Sequence, residues 1–114
     1  MKRAPLLGGL LLWLAANCAE AHAHLQQSSP ADGSVLNAAP AQLVLHFSEA
    51  ARLTGLWIES GGARQAVGSL PDTAQATIVV PLPPLTPGSY VVSFRALGAD
   101  GHVVPGEIRF TFNR

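Results

Sequence analysis

Hydrophobic and polar residues alternate along several short stretches of this chain. Leu43, Leu45 and Phe47 fall on one face of the first stretch. The same period of two recurs over residues 90–96 and 108–112. Such alternation is typical of strands that bury one face, so the pattern predicts a strand at each of these places.

Two more strands are predicted between these stretches. Residues 55–60 form a stretch centred on Trp57 and Ile58, and residues 77–80 are short and β-branched. Turn-forming residues separate the strands at 29–33, 61–62 and 81–87. No window of about twelve residues in the rest of the chain has a convincing helical period. The fold class is therefore predicted to be all-β, a small immunoglobulin-like antiparallel β-sandwich.

Tyr90 opens a late strand directly after Pro87 and Gly88. This placement is typical of the tyrosine corner of immunoglobulin-like folds, in which the hydroxyl bonds to nearby backbone. The alternative is a half-buried strand tyrosine without such a bond, and the sequence leaves both interpretations open.

The beginning of the chain has the composition of a secretory signal. A positive start and an apolar run over residues 6–16 precede Ala19 and Ala21, which fit the small-residue cleavage pattern. The run is too short to span a bilayer, and no later run approaches that length. We therefore expect residues 1–21 to be a signal peptide and residues 22–114 to be one exported domain that does not insert into the membrane.

The charge and cysteine content of the chain exclude several kinds of partner and ligand for this domain. The chain has 7 basic and 7 acidic residues and no basic run, so we expect neither nucleic acid nor an anionic membrane surface as a partner. Cys18 is the only cysteine and lies in the signal, so the mature domain should lack disulfides and thiolate ligands. Lipidation of Cys18 is an alternative that would leave His22 inside the chain, although Asn17 does not fit such sites.

The histidines suggest a metal site. Cleavage after Ala21 makes His22 the first residue, which offers a metal both its α-amine and its ring nitrogen; the amine has a pKa of about 8. Asp100 and His102 are two residues apart, which aligns their side chains in an extended segment, and Gly101 relaxes the backbone if the segment turns. Three nitrogens and one carboxylate oxygen suit Cu(II) in a tetragonal arrangement.

Other interpretations of these residues stay open. Zinc also accepts His and Asp ligands, whereas Cu(I) prefers sulfur, and the mature chain has neither Met nor Cys. Asp100-Gly101 is a common hairpin turn in its own right. His22 and His24 could be chance residues of a frayed terminus. His46 lies on the polar face of its strand and is interpreted as a solvated residue, not a ligand.

Several motifs together resemble the periplasmic copper-binding family CopC. The resemblance covers residues 22–114, and the order and spacing of the motifs are specific although each is weak alone. The motifs are His22-Ala23-His24-Leu25, Ser29-Pro30-Ala31-Asp32-Gly33, Leu45-His46-Phe47-Ser48-Glu49, Leu85-Thr86-Pro87-Gly88-Ser89-Tyr90, and Asp100-Gly101-His102 with Gly106 and Phe110 downstream.

The resemblance implies a compact cupredoxin-like or immunoglobulin-like Greek-key barrel or sandwich. It implies one Cu(II) ion per chain, bound by the amine and ring of His22 and by Asp100 and His102. It also implies a periplasmic protein of copper resistance or homeostasis that is not an enzyme and works with an inner-membrane copper transporter of the CopD type.

The chain departs from the family pattern in two respects. Some members have a methionine-rich loop for Cu(I), which this chain cannot supply, so a single Cu(II) site is expected. The family often has Trp before the Arg of the long strand, where this chain has Phe94-Arg95. We expect this difference to change packing rather than function.

The first ligand depends on the cleavage point. Family members usually have Leu three residues after the N-terminal His, so Leu25 selects His22. Cleavage after Ala23 would instead make His24 the amino-terminal ligand. With His22 first, the amine, two amides and the ring of His24 could form a competing Cu(II) site.

Three functions are compatible with these observations. The leading hypothesis is a copper carrier or buffer that exchanges Cu(II) with a membrane partner. The alternatives are a copper-dependent oxidase or monooxygenase that uses an N-terminal histidine chelate, and a metal-free immunoglobulin-like interaction module.

Overall fold

The structure, a computed structural model, describes residues 23–114, so the expected signal peptide and His22 lie outside it. The described residues contain no helix, and so they include no helix long and apolar enough to cross a membrane. Their seven strands are β1 (Leu25–Ser29), β2 (Ser34–Leu36), β3 (Gln42–Ser60), β4 (Ala63–Ala66), β5 (Gln75–Pro81), β6 (Gly88–Gly98) and β7 (Val103–Phe112). The prediction of an all-β fold is confirmed.

The long strand β3 connects the two halves of the fold. Its first part pairs antiparallel with β1 on one edge and with β5 on the other. Its last part pairs antiparallel with β6 and β4, and the sheet continues from β6 to β7 and, in parallel, to β2. The sheet therefore curls along β3 and encloses the core between its two halves.

The prediction of two separate strands, one ending at Phe47 and one spanning residues 55–60, is wrong. β3 is a single strand of 19 residues. Its register shifts between His46 and Ala51 against β5, and between Leu53 and Gly55 against β6. Such irregularities bend a strand and break its alternation, so the hydrophobic pattern shows two pieces where the backbone is continuous.

The buried face of each strand carries the alternating hydrophobic residues. Leu43, Leu45 and Phe47 are all buried, as their spacing predicts. Phe47 meets Phe94 of β6 edge to face with 5.9 Å between ring centres. Burying one such side chain contributes about 1.5–3 kcal/mol, so packing between the two halves of the sheet stabilises the fold.

Of the two interpretations of Tyr90, the tyrosine corner is confirmed. Its hydroxyl donates to the carbonyl oxygen of Thr86 and accepts the backbone N–H of the same residue at 3.1 Å. The ring is buried and stacks on Phe110, with 5.3 Å between ring centres. The hydroxyl therefore fixes the loop that enters β6.

Candidate metal centre

The turn between β6 and β7 carries two of the predicted ligands. Gly98 N–H donates to the carbonyl of His102 at 2.9 Å, and Gly101 N–H donates to the carbonyl of Gly98 at 3.0 Å. Gly101 has a φ of 89°, which glycine adopts without the steric cost of a side chain. This is a three-residue hairpin loop with glycine in the left-handed position. The segment turns, so the face rule for extended strands does not apply to it.

The turn brings Asp100 and His102 into contact. Asp100 Oδ1 accepts the backbone N–H of His102 at 3.1 Å, and Asp100 Oδ2 lies 3.1 Å from His102 Nδ1. The first contact is the local capping bond that a bare hairpin turn also makes. The second joins two side chains that stay accessible, with exposed fractions of 26% for Asp100 and 69% for His102.

The spacing of these two side chains fits neighbouring ligands of one metal ion. Two donors that each lie about 2.1 Å from a metal, at about 90° to each other, are about 3.0 Å apart. The 3.1 Å between Asp100 Oδ2 and His102 Nδ1 is close to this value, and it is also the length of the hydrogen bond that joins the two side chains here. One carboxylate oxygen and one imidazole nitrogen are also donors that Cu(II) and Zn²⁺ accept.

The first described residue of the chain packs against this turn. Ala23 is only 5% exposed and belongs to the core. A Cβ built on Gly98 would lie 3.8 Å from the Ala23 Cβ, 3.0 Å from Asp100 Oδ1 and 3.6 Å from the His102 carbonyl oxygen. Gly98 is therefore the place where the N-terminal segment, Asp100 and His102 meet.

Ser48 of β3 fastens the N-terminal segment in place. Its Oγ accepts the backbone N–H of His24 at 2.9 Å, and its own N–H donates to the carbonyl of His24 at 2.8 Å. In the sequence, Ser48 stands out only as part of the motif Leu45-His46-Phe47-Ser48-Glu49. No local pattern marks a serine inside a strand as an anchor, because its partner is 24 residues away.

The remaining histidines do not extend the Asp100–His102 pair. Within residues 23–114, no group of three or more His, Cys, Asp or Glu side chains is placed to hold a metal ion. His24 is exposed and does not complete a three-ligand group with Asp100 and His102. His46 is half-buried, with its Nδ1 3.2 Å from Thr77 Oγ1. The predicted ligand His22 lies outside the described residues.

Comparison with known proteins finds one family. The chain matches the family model of the CopC domain over residues 25–113. It is 32% identical over 108 residues to Copper resistance protein C of Pseudomonas syringae pv. tomato, covering 81% of each chain. It is 34% identical over 98 residues to Protein YobA of Escherichia coli strain K12, covering 80% of this chain and 78% of the relative.

Solved structures give the same result. CopC from Methylosinus trichosporium OB3b superposes with a TM-score of 0.66 at 30% identity, covering 81% of this chain and 94% of that one. PcoC, a methionine-rich copper resistance protein from Escherichia coli, superposes with a TM-score of 0.58 at 28% identity, covering 82% of this chain and 100% of that one. This chain contains a single methionine, Met1, so the described residues have no thioether to compare with PcoC.

Proposed function

Because the chain belongs to the CopC family of copper resistance proteins, whose members bind copper and are not enzymes, we propose that it carries or buffers Cu(II) in the periplasm. One ion is bound per chain. The observation that carries the proposal is the pair formed by Asp100 and His102, whose donor atoms are 3.1 Å apart beside the start of the described chain.

The proposed ligands are the amine and ring of His22, the carboxylate of Asp100 and the imidazole of His102. His22 precedes Ala23 directly, so their Cα atoms are about 3.8 Å apart. Ala23 packs at Gly98, within the same turn as the other two ligands. The amine and ring of one residue close a chelate ring, so the second bond costs little further ordering. Three nitrogens and one oxygen suit tetragonal Cu(II) better than Cu(I).

Burial of Ala23 supports cleavage after Ala21, with residues 1–21 as the signal and 22–114 as the mature chain. Cleavage after Ala23 would remove a residue that belongs to the core. The competing site at His24 needs the deprotonated backbone nitrogen of His24, whose N–H is donated to Ser48 Oγ. Forming that site would therefore break one of the two hydrogen bonds that join His24 to Ser48 of β3.

Copper transfer by ligand exchange fits this arrangement. The N-terminal residue is the end of a short segment, whereas Asp100 and His102 belong to a closed hairpin turn. The N-terminal ligands would leave first and give an acceptor access to an ion held by two remaining groups. The proposed acceptor or donor is an inner-membrane copper transporter of the CopD type.

Native mass spectrometry of protein recovered from the periplasm, offered one equivalent of Cu(II), tests this function. The expected mass is that of a chain starting at His22 with one copper. A chain that starts elsewhere, or that takes up no copper, would contradict the proposal. Added Zn²⁺ should not displace the copper, since affinity for nitrogen and oxygen sites is greater for Cu(II).

Asp100→Asn is the sharpest variant for the ligand set. The amide keeps the oxygen that accepts the His102 backbone N–H, so the turn should persist, but the anionic ligand is lost. We expect Cu(II) affinity to fall about 100-fold or more, measured by competition with a chelator. Asp72→Asn, an exposed carboxylate in a loop, is the matched control and should bind copper like the wild type.

A further inference from the structure

A second cluster of functional side chains lies on the outer face of the sheet. Trp57 of β3 is flanked by two guanidinium groups, with Cζ of Arg64 4.9 Å and Cζ of Arg95 5.5 Å from the ring centre. Both distances are in the cation–π range. A Cβ on Gly55 would lie 2.3 Å from the Trp57 ring, so the ring lies down over Gly55. The indole thus forms a fixed support for two cations.

Neither guanidinium group forms an ion pair within residues 23–114, although Arg64 lies opposite Glu59 where β3 pairs with β4. The ion pairs among residues 23–114 join His102 to Asp100 and Arg109 to Glu107. Both arginine side chains are exposed and lie beside the Trp57 ring. Two exposed, planar guanidinium groups beside one ring offer several N–H donors to the oxygens of a carboxylate.

The strand register extends this cluster into a positive face. Cross-strand partners share a face of the sheet. Arg52 is opposite Leu97 in β6, and Arg109 of β7 is opposite Val91, so both lie on the outer side with Arg95. With Arg64, this outer side carries four of the five arginines in residues 23–114. We call this surface the arginine face, and its residues are Arg52, Trp57, Arg64, Arg95 and Arg109.

The arginine face begins beside the candidate metal centre. Leu97 pairs with both Arg52 and Val103, and Val103 directly follows His102. Val103 is 57% exposed. A partner seated on this face would therefore reach the β6–β7 turn.

We propose that the arginine face is the docking surface for an acidic segment of a partner protein, with a carboxylate of that segment bound between Arg64 and Arg95. Charge complementarity selects the partner, and packing on Trp57 lowers the cost of ordering the two guanidinium groups. A role for this docking in copper transfer rests on the function proposed above, whereas carboxylate binding itself does not.

A protein segment fits this face better than an anionic membrane does. Membrane adsorption needs several clustered basic side chains together with apolar groups that enter the lipid. Here Trp57 lies flat over Gly55, and Glu59 and Glu107 are on the same side of the sheet. With these two glutamates among its four arginines, the face carries less positive charge than the basic clusters that bind anionic membranes.

The test uses the copper-free mature protein and a short synthetic peptide of alternating Asp and Glu with blocked ends. Trp57 is the only tryptophan after the signal, so its fluorescence reports binding directly. We expect the acidic peptide to change this fluorescence saturably and a matched Asn/Gln peptide to leave it unchanged. The affinity for the acidic peptide should fall as salt is added.

Removing both cations should weaken binding. We expect Arg64→Gln combined with Arg95→Gln to lower peptide affinity about tenfold or more. Arg114→Gln removes one charge at the end of the chain and should change affinity little. If the double variant is destabilised, the two single variants replace it, and each should lose part of the affinity.

Two results would overturn the inference. One is a double variant that folds and binds the acidic peptide as tightly as the wild type. The other is binding to phosphatidylglycerol vesicles with no binding to the peptide. Cu(II) affinity of the same variants is measured separately. Because neither arginine is a proposed ligand, failure of docking with intact copper binding would leave the proposed function standing.

Discussion

Gly98 and Gly101 occupy the same turn for different physical reasons. At Gly98 the need is space, because a side chain would enter the gap shared by Ala23 and Asp100. At Gly101 the need is backbone conformation, since its φ is 89° while no atom lies within 4 Å of a Cβ built there. Substitutions at Gly98 therefore test the need for space at the candidate centre, and substitutions at Gly101 test the need for a left-handed backbone.

Gly101→Ala should destabilise the protein by about 1–2 kcal/mol, the cost of a left-handed conformation for a residue with a Cβ. Gly68→Ala is the matched control, because that position also has no neighbour within 4 Å but has no positive φ. It should be neutral or slightly stabilising. The free energy of unfolding, measured by urea denaturation, decides between them. Equal losses in the two variants would show that the turn does not require this conformation.

At the scale of single elements, the N-terminal segment depends on Ser48. Ser48→Ala removes the acceptor of the His24 N–H while leaving the backbone pair intact. A net hydrogen bond contributes about 0.5–1.5 kcal/mol, so we expect Cu(II) affinity to fall about two- to tenfold as the segment loosens. Chelator competition measures the change.

Ser89→Ala is the matched control for this prediction. Ser89 is an exposed strand serine whose Oγ lies 3.4 Å from Thr111 Oγ1. It sits at the start of β6, whereas the candidate centre lies at the end of that strand. Its removal should leave Cu(II) affinity unchanged. An equal loss in both variants would mean that Ser48 has no specific part in holding the segment.

The tyrosine corner should affect the stability of the protein but not its affinity for Cu(II). Tyr90→Phe deletes the hydroxyl that bonds both the N–H and the carbonyl of Thr86. We expect a loss of about 1–3 kcal/mol in the free energy of unfolding, because two partly buried backbone groups lose their partner. Cu(II) affinity of the folded variant should equal that of the wild type. Unchanged stability would contradict the structural role of the hydroxyl.

The elements that could be predicted from sequence are those with a clear local pattern. β6 and β7 were found because their hydrophobic residues repeat every second position, and β5 because residues 77–80 are β-branched. β1, β2 and β4 were missed since they are only 5, 3 and 4 residues long, too short to show a regular alternation. Such strands form because of the strands with which they pair. Those partners can be far away in the sequence, so the residues of the short strand alone do not predict it.

The candidate site was predictable to a similar degree. Asp100 and His102 stood out because two ligand types lie two residues apart, and the turn does bring them together. Ala23 and Ser48 did not stand out, because their roles arise from contacts with distant segments. The role of His22 stays a prediction.

At the scale of the whole molecule, the proposed copper ion would join the start of the chain to the β6–β7 turn. A ligand that binds only the folded state stabilises it by mass action, by about 4.1 kcal/mol at 1,000 times its dissociation constant. At this concentration a site about 100-fold weaker would give only about 1.4 kcal/mol, so we expect Cu(II) to raise the urea midpoint of the wild type clearly more than that of Asp100→Asn. Equal stabilisation of both proteins would place the bound copper elsewhere.

Because β3 runs through both halves of the sheet, its pairing depends on segments that come much later in the chain, and this affects the folding rate. The last part of β3 pairs with β6, which begins at Gly88, and Ser34 of β2 pairs with Phe110 near the other end of the chain. Such a topology has a high contact order, and folding on the order of milliseconds to seconds is expected. A chain delivered unfolded across the membrane would therefore acquire its copper last, once these distant pairings had formed.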